Sequence, residues 1–528
     1  MPLKADGFFE RSHFVFLRRV KMLSILFKNE NDRVRVKNAQ MPECFGDLNL
    51  DQIVNSITSK KEIYDLKPYF YVKLEDVDSI KYRQEVMMDL ENEGLFENVT
   101  KFEDKMRTMK KCFDQSDKLS YKYQKERWFI DGVEIYCNAV QDLSKSLAVD
   151  LKSRGFLDFS YFLKDYVDSD DFKSLAIQTK RLKDELSQIR YTLFVKGSAI
   201  KVRRYDSQKN YSQEIEEIFE KFRQGSVKSY SVKFNELVDM NHVEAKILDF
   251  VAMLYPDIFE ELDGYYVKNA NFMNEVISEF TREIQFYISY LEYISQFKRN
   301  GLEFCIPQIT QEKEIYANST FDLALADKLI KDQKSVVTND FYLKDQERIF
   351  VVAGPNQGGK TTFARTFGQL HYLASIGCPV PGNEAKIFLF DQLFTHFERE
   401  ENINNLRGKL EDELFRINLI LKKATPRSVV IINEMFSSTT LEDALFLSKK
   451  VMTVIYDLDI LAVWVTFIDE ITSMNEKVVS MVSTVDPDNP SVRTYKVLRK
   501  PSDGLSYAIS VAEKYHLTYK SLKERIRS

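Results

Sequence analysis

The sequence predicts an α+α/β chain: a body of long helices with a small basic β-hairpin insertion, followed by a layered α/β domain. Three features predict it: the distribution of Gly and Pro, one sustained helical period, and a change to short apolar runs near residue 349. Residues 1–340 hold nine Gly and five Pro, whereas the much shorter stretch 341–528 holds eight and seven. No proline lies between Pro68 and Pro256. The first part can therefore run in long helices, while the last part needs many tight turns.

The helical period is clearest in Asn271–Asn300, which contains neither Gly nor Pro. Met273, Val276, Ile277, Phe280, Ile284, Tyr287, Ile288, Leu291 and Ile294 recur at helical steps, and Gly301 is the stop signal. Residues 82–128 and 140–188 are also helix-compatible. The 39 Phe and 27 Tyr read mainly as packing between such helices rather than as base-stacking platforms. His242 reads as a helix-start residue, because no His or Cys is spaced to share a metal with it.

One stretch interrupts the helices. Between Ile189 and Asn210, Tyr191, Leu193 and Val195 alternate with Thr192, Phe194 and Lys196. After Gly197-Ser198, Ile200 and Val202 alternate with Lys201 and Arg203, which predicts a β-hairpin. Arg190, Lys196, Lys201, Arg203, Arg204 and Lys209 stand against Asp206 alone, a net charge of +5. Lys196, Lys201, Arg203 and Arg204 are the candidate phosphate contacts, with a solvated structural hairpin as the equal alternative.

From Ile349 the runs IFVVAG, KIFLF, SVVIINE, ILAVWVTF and TYKVL alternate with helical segments, the pattern of a layered α/β domain.

Composition bounds what such a chain can do. Its 528 residues are too many for one core at roughly 100–200 residues per domain. A hydrophobic fraction of 44% excludes wholesale disorder. A net charge of −5 argues against a protein that coats nucleic acid. Residues 1–340 carry 51 Lys+Arg against 57 Asp+Glu, so any grip on nucleic acid by the helical body has to be local. No run of about 18 apolar residues appears, which argues against a membrane span. Cys44, Cys112, Cys137, Cys305 and Cys378 form no CxxC pair and read as reduced thiols of a cytoplasmic protein, nucleoid association being an open alternative. Met22 is an alternative start, so residues 1–21 read as an upstream extension.

Residues 354–361 carry the phosphate-loop pattern GxxxxGK[ST] as Gly354-Pro355-Asn356-Gln357-Gly358-Gly359-Lys360-Thr361, with Thr362 next. An apolar strand precedes it, and a helix is expected over 363–376. Glycines let backbone N–H groups wrap a phosphate at a helix N-terminus. Lys360 supplies a charge near the terminal phosphates of ATP, and the Thr361 hydroxyl is a candidate Mg²⁺ ligand. The run Ser428–Glu434 reads as a buried strand ending in Asn433 and Glu434, where a second metal-side group and a water-orienting base are needed. Glu434 is the candidate base.

These motifs, with Ala374-Ser-Ile-Gly-Cys-Pro-Val-Pro, Phe394-Thr-His and Ser438-Thr-Thr-Leu-Glu-Asp, resemble the ATPase domain of MutS-family DNA mismatch-repair proteins. Ser506-Tyr-Ala-Ile-Ser-Val-Ala-Glu and the segment to Ile526 resemble that family's dimerising end. The resemblance is close over about 318–528 and looser over 45–315.

It implies an ABC-type P-loop ATPase at 316–528 that uses ATP and Mg²⁺ and closes as a homodimer on duplex or branched DNA, with no membrane role. It further implies a helical core and lever at 45–315, a clamp- or connector-like insertion near 189–235, and an extension at 1–44. The family's N-terminal mismatch-reading domain is expected to be absent ahead of the helical core. Gly7-Phe8-Phe9-Glu10 is a coincidental likeness to its wedge, without a supporting domain.

Three departures matter. The strand-end Asp of the family is Asn433, which removes a negative partner for Mg²⁺ and leaves it a ligand in part through water. The γ-phosphate-sensing His is Phe467, whose ring donates no hydrogen bond. Where a Ser acts across the dimer, this chain has Arg407, Gly408 and Lys409, which would meet the partner's nucleotide with backbone N–H groups and cations. Nucleotide binding is thus better supported than turnover. The alternative is a nucleotide-gated scaffold protein with little or no hydrolysis.

Overall fold

The computed structural model describes residues 23–147, 150–207, 240–399, 408–489, 492–502, 517–519, 522–523 and 525. They fall into two compact units: residues 92–151 with 157–281, and residues 1–91 with 152–156 and 282–528. No described helix is long and apolar enough to cross a membrane.

The unit formed by 92–151 and 157–281 is helical apart from one hairpin. Helices Glu93–Lys118 and Lys122–Ser146 are joined by three residues, which makes them antiparallel neighbours. Gly132 lets them close, since a Cβ there would stand 2.6 Å from Phe113 Cζ. Phe113, Phe129, Phe272 and Tyr136 fill the core, with centroids 5.6 Å (Phe113–Phe129), 6.0 Å (Phe129–Phe272) and 5.1 Å (Tyr136–Phe272) apart. The aromatic richness is therefore spent on helix packing here. The period expected over 271–300 forms the helix Glu275–Arg299, whose first residues belong to this unit. His242 opens helix His242–Leu254 behind an Asn241–Glu244 capping box.

Two carboxylates meet in this unit, the buried Glu126 and the half-buried Asp263. Glu126 Oε2 and Asp263 Oδ1 have no donor among the described residues, while Lys122 pairs with the other oxygen of Asp263. Burial and then the Asp263 charge push the Glu126 carboxyl up to about 8. Because the folded value lies above the ordinary one, the associated stability is complete below about pH 4.5 and is lost as pH rises through about 8. Glu126→Gln is therefore expected to raise the melting temperature at pH 8.5 by a few degrees and to leave it unchanged at pH 4.5. Thermal unfolding at the two pH values checks this, and an equal shift at both contradicts it.

The other unit holds two main sheets. The six-stranded sheet has the order Leu393–His396, Val429–Asn433, Leu461–Val465, Ile349–Ala353, Val478–Val485, Arg493–Arg499. Its first five strands pair in parallel and the last is antiparallel. Strands Ile349–Ala353 and Leu461–Val465 are buried at every residue, as continuous apolar runs in parallel sheets are. Of the expected strands, KIFLF lies elsewhere: Glu384–Phe388 belongs to a four-stranded sheet with Gln308–Thr310, Ile315–Thr320 and Asn339–Leu343. Leu393–His396 and Val478–Val485 were not marked by an apolar run, because one is four residues long and the other is broken by serines.

The compact units do not follow the boundaries expected at 44/45 and 315/316. Residues 23–91 pack with the sheets through buried hydrogen bonds. Tyr287 Oη donates to Ile25 O at 2.6 Å, and Ile25 N donates to Glu283 Oε2 at 2.9 Å. The fully buried Arg83 joins Leu26 O (2.9 Å) to Ile376 O (3.1 Å) at the end of the helix that follows the phosphate loop. That helix is also held by Gln369 Nε2, which donates to Leu48 O at 2.9 Å, and Arg365 Nε, which donates to Asp47 O at 2.9 Å. Asp47, Leu48 and Arg83, expected in the helical core, thus hold the helix behind the loop, and Leu26 of the expected extension is tied to it through Arg83.

Candidate nucleotide site

Strand Ile349–Ala353 delivers the chain to Gly354, and the helix following the loop spans Lys360–Ser375, starting three residues before the expected 363. The loop turns sharply, with positive φ at Gly354 (113°), Gln357 (60°) and Gly359 (96°). A Cβ on Gly354 would meet Ser483 Oγ at 2.6 Å and Ser483 O at 2.8 Å, so only glycine fits. Gly359 is the N-cap and offers no side-chain oxygen, which leaves the first-turn N–H groups free to bind an anion.

Lys360 is 4% exposed. Its Nζ donates to Gly354 O at 2.9 Å and Asn356 Oδ1 at 3.0 Å, and lies 3.9 Å from Glu434 Oε1. Burial pushes the Lys360 amine down, and Glu434 partly restores it. Thr361 Oγ1 donates to Asn433 Oδ1 at 2.8 Å, which puts two neutral oxygens side by side at the start of the helix. Pro355, Gly358 and Thr362 lie in the same turn, where Gly358 N donates to Pro355 O at 3.3 Å.

Asn433 ends strand Val429–Asn433, which pairs in parallel with Leu461–Val465. Glu434 and Phe436 both adopt positive φ, 52° and 65°. Such backbone is strained by about 1–3 kcal/mol per residue and persists only when its surroundings fix it. Here Glu434 N donates to Val465 O at 3.0 Å, and Phe436 N donates to Glu413 Oε2 at 2.9 Å. Burial pushes the Glu413 carboxyl up, while the Phe436 N–H opposes that shift.

Glu413 lies on helix Lys409–Lys423, whose N-cap is Gly408 with φ −65° and no capping side chain. Lys409 pairs with Glu398. Arg407 lies outside the described residues, as do Lys209 and the segment Ser506–Glu513.

Two expected positions have clear places. Phe467 is 46% exposed beyond strand Leu461–Val465. His396 is buried, and burial followed by Arg416 holds it neutral by pushing it down to about 4. Three residues beside the loop were not anticipated. Ser483 backs Gly354, Arg493 Nε donates to Asn356 O at 3.3 Å, and Tyr495, at φ 59°, puts its carbonyl 3.5 Å from where a Gly359 Cβ would stand. The serines that break the apolar strand Val478–Val485 were the available signal.

The basic hairpin forms as expected, Tyr191–Lys196 against Ala199–Arg204. Its register pairs Thr192 with Arg203, Phe194 with Lys201 and Lys196 with Ala199, so Lys196, Lys201 and Arg203 share one face with Phe194. Arg203 lies over the Phe194 ring at 5.4 Å. Arg204 is on the opposite face, where its guanidinium donates to Leu254 O and lies 4.9 Å from the Tyr255 ring. It fastens the hairpin to helix His242–Leu254.

Among known proteins, the family model described as MutS domain V matches residues 350–525. The DNA mismatch repair protein MutS of Thermosipho melanesiensis is 30% identical over 195 residues, which cover 36% of this chain and 23% of that relative. The protein of the same name from Fervidobacterium nodosum is 32% identical over 182 residues, covering 33% and 22%. That of Borrelia garinii subsp. bavariensis is 25% identical over 359 residues, covering 65% and 40%. The chain thus spans between about a fifth and two fifths of the length of these relatives. With the phosphate loop and the strand ending in Asn433-Glu434, residues 350–525 are similar to domain V of MutS proteins, and the likeness extends over part of the remaining chain at lower identity.

Proposed function

We propose that the chain is an ATP-dependent DNA-binding protein of the mismatch-repair or recombination kind, in which nucleotide binding gates a dimeric grip on duplex or branched DNA. The observation that carries this reading is the phosphate loop itself: Lys360 and Thr361 stand at a free helix start, in contact with Asn356 and Asn433.

Mg²⁺ suits the donors present, since Thr361 Oγ1 and Asn433 Oδ1 are hard neutral oxygens 2.8 Å apart. When bound, the ion would neutralise charge on the terminal phosphates. Glu434 orients and accepts a proton from the attacking water, and Lys360 screens the charge that develops. Asn433 in place of a carboxylate makes slow turnover the expectation. Direct reading of a single mispaired base is not part of the proposal.

Gly408 and Lys409 open a helix that Glu413 ties to the Glu434 turn, which supports a role for them toward a second copy's nucleotide. Leu441 and Phe446, 58% and 60% exposed, give the same unit apolar surface for a homodimer.

DNA contact is assigned to the hairpin face that carries Lys196, Lys201 and Arg203. The charges there would meet phosphates without reading sequence. A Lys201→Glu/Arg203→Glu variant is expected to weaken DNA binding tenfold or more at about 0.1 M salt and to lower the log–log salt slope by roughly two to four. Binding isotherms over a salt series check this, and an unchanged slope removes the hairpin from the interface. Arg204→Ala is expected to affect stability instead. An ATP-gated scaffold without hydrolysis is the second reading, favoured by Asn433 and Phe467.

A further inference from the structure

Ser483 is completely buried on strand Val478–Val485, and its hydroxyl has no hydrogen-bond partner among the described residues. A buried hydroxyl without a partner costs about 1–3 kcal/mol, so its retention calls for an explanation. Its surroundings supply one. Ser483 Oγ lies 2.6 Å from the Cβ position of Gly354 and 2.7 Å from that of Gly358, directly beneath both ends of the loop's turn. The donor that Gly354 O uses is Lys360 Nζ, at 2.9 Å. Lys360 is also the cation that must turn toward phosphate, and when it does, the half-buried Gly354 O loses that partner.

We propose that Ser483 is a positioning residue for nucleotide binding: its hydroxyl takes over the Gly354 carbonyl when Lys360 moves to the phosphate. The exchange moves one hydrogen bond from the lysine to the serine, and no covalent bond changes. It also accounts for the small side chain, because a branched residue at 483 would occupy the space that Gly354 and Gly358 leave open. The neighbouring strand Arg493–Arg499 reinforces the same wall, since Thr484 and Thr494 are joined at 2.5 Å through their hydroxyls and Arg493 holds Asn356 O.

The inference rests on the ATP-binding reading, and the test separates the two. The full chain, Ser483→Ala, Ser483→Cys and Ser483→Val are titrated with Mg·ATP carrying a fluorescent ribose group, and their melting temperatures are measured without nucleotide. Ser483→Ala should weaken binding roughly three- to tenfold, the worth of one hydrogen bond. Its kcat should stay as in the parent, and its nucleotide-free melting temperature should not fall, since the hydroxyl removed has no partner in that state. Ser483→Cys, which keeps a weak donor, should recover part of the affinity, and Ser483→Val should lose binding altogether. Parental affinity in Ser483→Ala overturns the positioning role. A parent chain that binds no nucleotide overturns the ATP-binding reading itself.

Discussion

Lys360→Ala is expected to weaken Mg·ATP binding at least a hundredfold while the chain stays folded. The side chain is buried in the turn, and its ammonium reaches Gly354 O and Asn356 Oδ1. Loss of one partner from a buried, hydrogen-bonded charge contact costs about 2–5 kcal/mol, and 1.4 kcal/mol is a factor of ten. The stability cost should be small, because burial already pushes the amine down and its removal relieves that desolvation. Isothermal titration with Mg·ATP, paired with circular dichroism of the variant, checks both halves. Retained affinity in a folded Lys360→Ala protein would falsify the assignment of the loop.

Glu434→Gln is expected to do the opposite to binding and the same to turnover. The carboxylate stands at the end of the strand that brings Asn433 to Thr361, 3.9 Å from Lys360 Nζ, on backbone fixed by Val465 O. Gln has the same shape and can occupy the same strained position, but it accepts no proton from water. Removing a general base lowers kcat by about 10²–10⁴, so ATP should remain bound and uncleaved. Single-turnover assays with radiolabelled ATP read this directly, together with a filter-binding measure of retained nucleotide. Parental turnover by the Gln variant would remove Glu434 from the catalytic role and leave a different group to be found.

The two variants together decide between the readings of function. A chain that binds ATP through Lys360 but shows no turnover to lose at Glu434 is a nucleotide-gated scaffold. Asn433 and the exposed Phe467 already lean that way, since neither supplies the charge or the hydrogen bond that would assist cleavage. DNA-stimulated turnover would instead mean that Asn433, Glu434 and the partner's groups suffice.

Much of the site was legible in the sequence because its parts are contiguous. Gly354 to Thr361 is one turn between a buried strand and a helix, and each glycine has a backbone or packing reason that sequence pattern anticipates. The strand ending in Asn433-Glu434 was legible for the same reason. The loop's walls were not. Ser483, Arg493 and Tyr495 reach the loop only because Val478–Val485 pairs in parallel with Ile349–Ala353, about 130 residues away in the chain. Glu413 reaches the Glu434 turn across a helix. No local period encodes such pairings.

The hairpin was legible as a hairpin, yet its four basic residues were read as one set. Neighbours on a strand face opposite sides, so Arg203 and Arg204 could not share a surface, and the register assigns Arg204 to structure. The compact units were the least legible feature. The chain leaves the sheet-bearing unit at residue 91, returns briefly at 152–156 and returns again at 282, and composition changes at none of these points. Residues 23–44 fall within the extension expected at 1–44, and residues 45–48 within the expected core. The places of Ile25, Leu26 and Leu48 depend on Glu283, Arg83 and Gln369, which only folding brings to them.

The most direct measurement is ATP turnover by the full chain, with and without homoduplex, mismatched and four-way-junction DNA, at low and at physiological salt. Turnover should be slow alone and rise severalfold with at least one DNA, and the rise should vanish in Lys201→Glu/Arg203→Glu and fade as salt increases. Turnover that is indifferent to every DNA, with no salt-sensitive DNA binding, contradicts an ATP-dependent DNA-binding role.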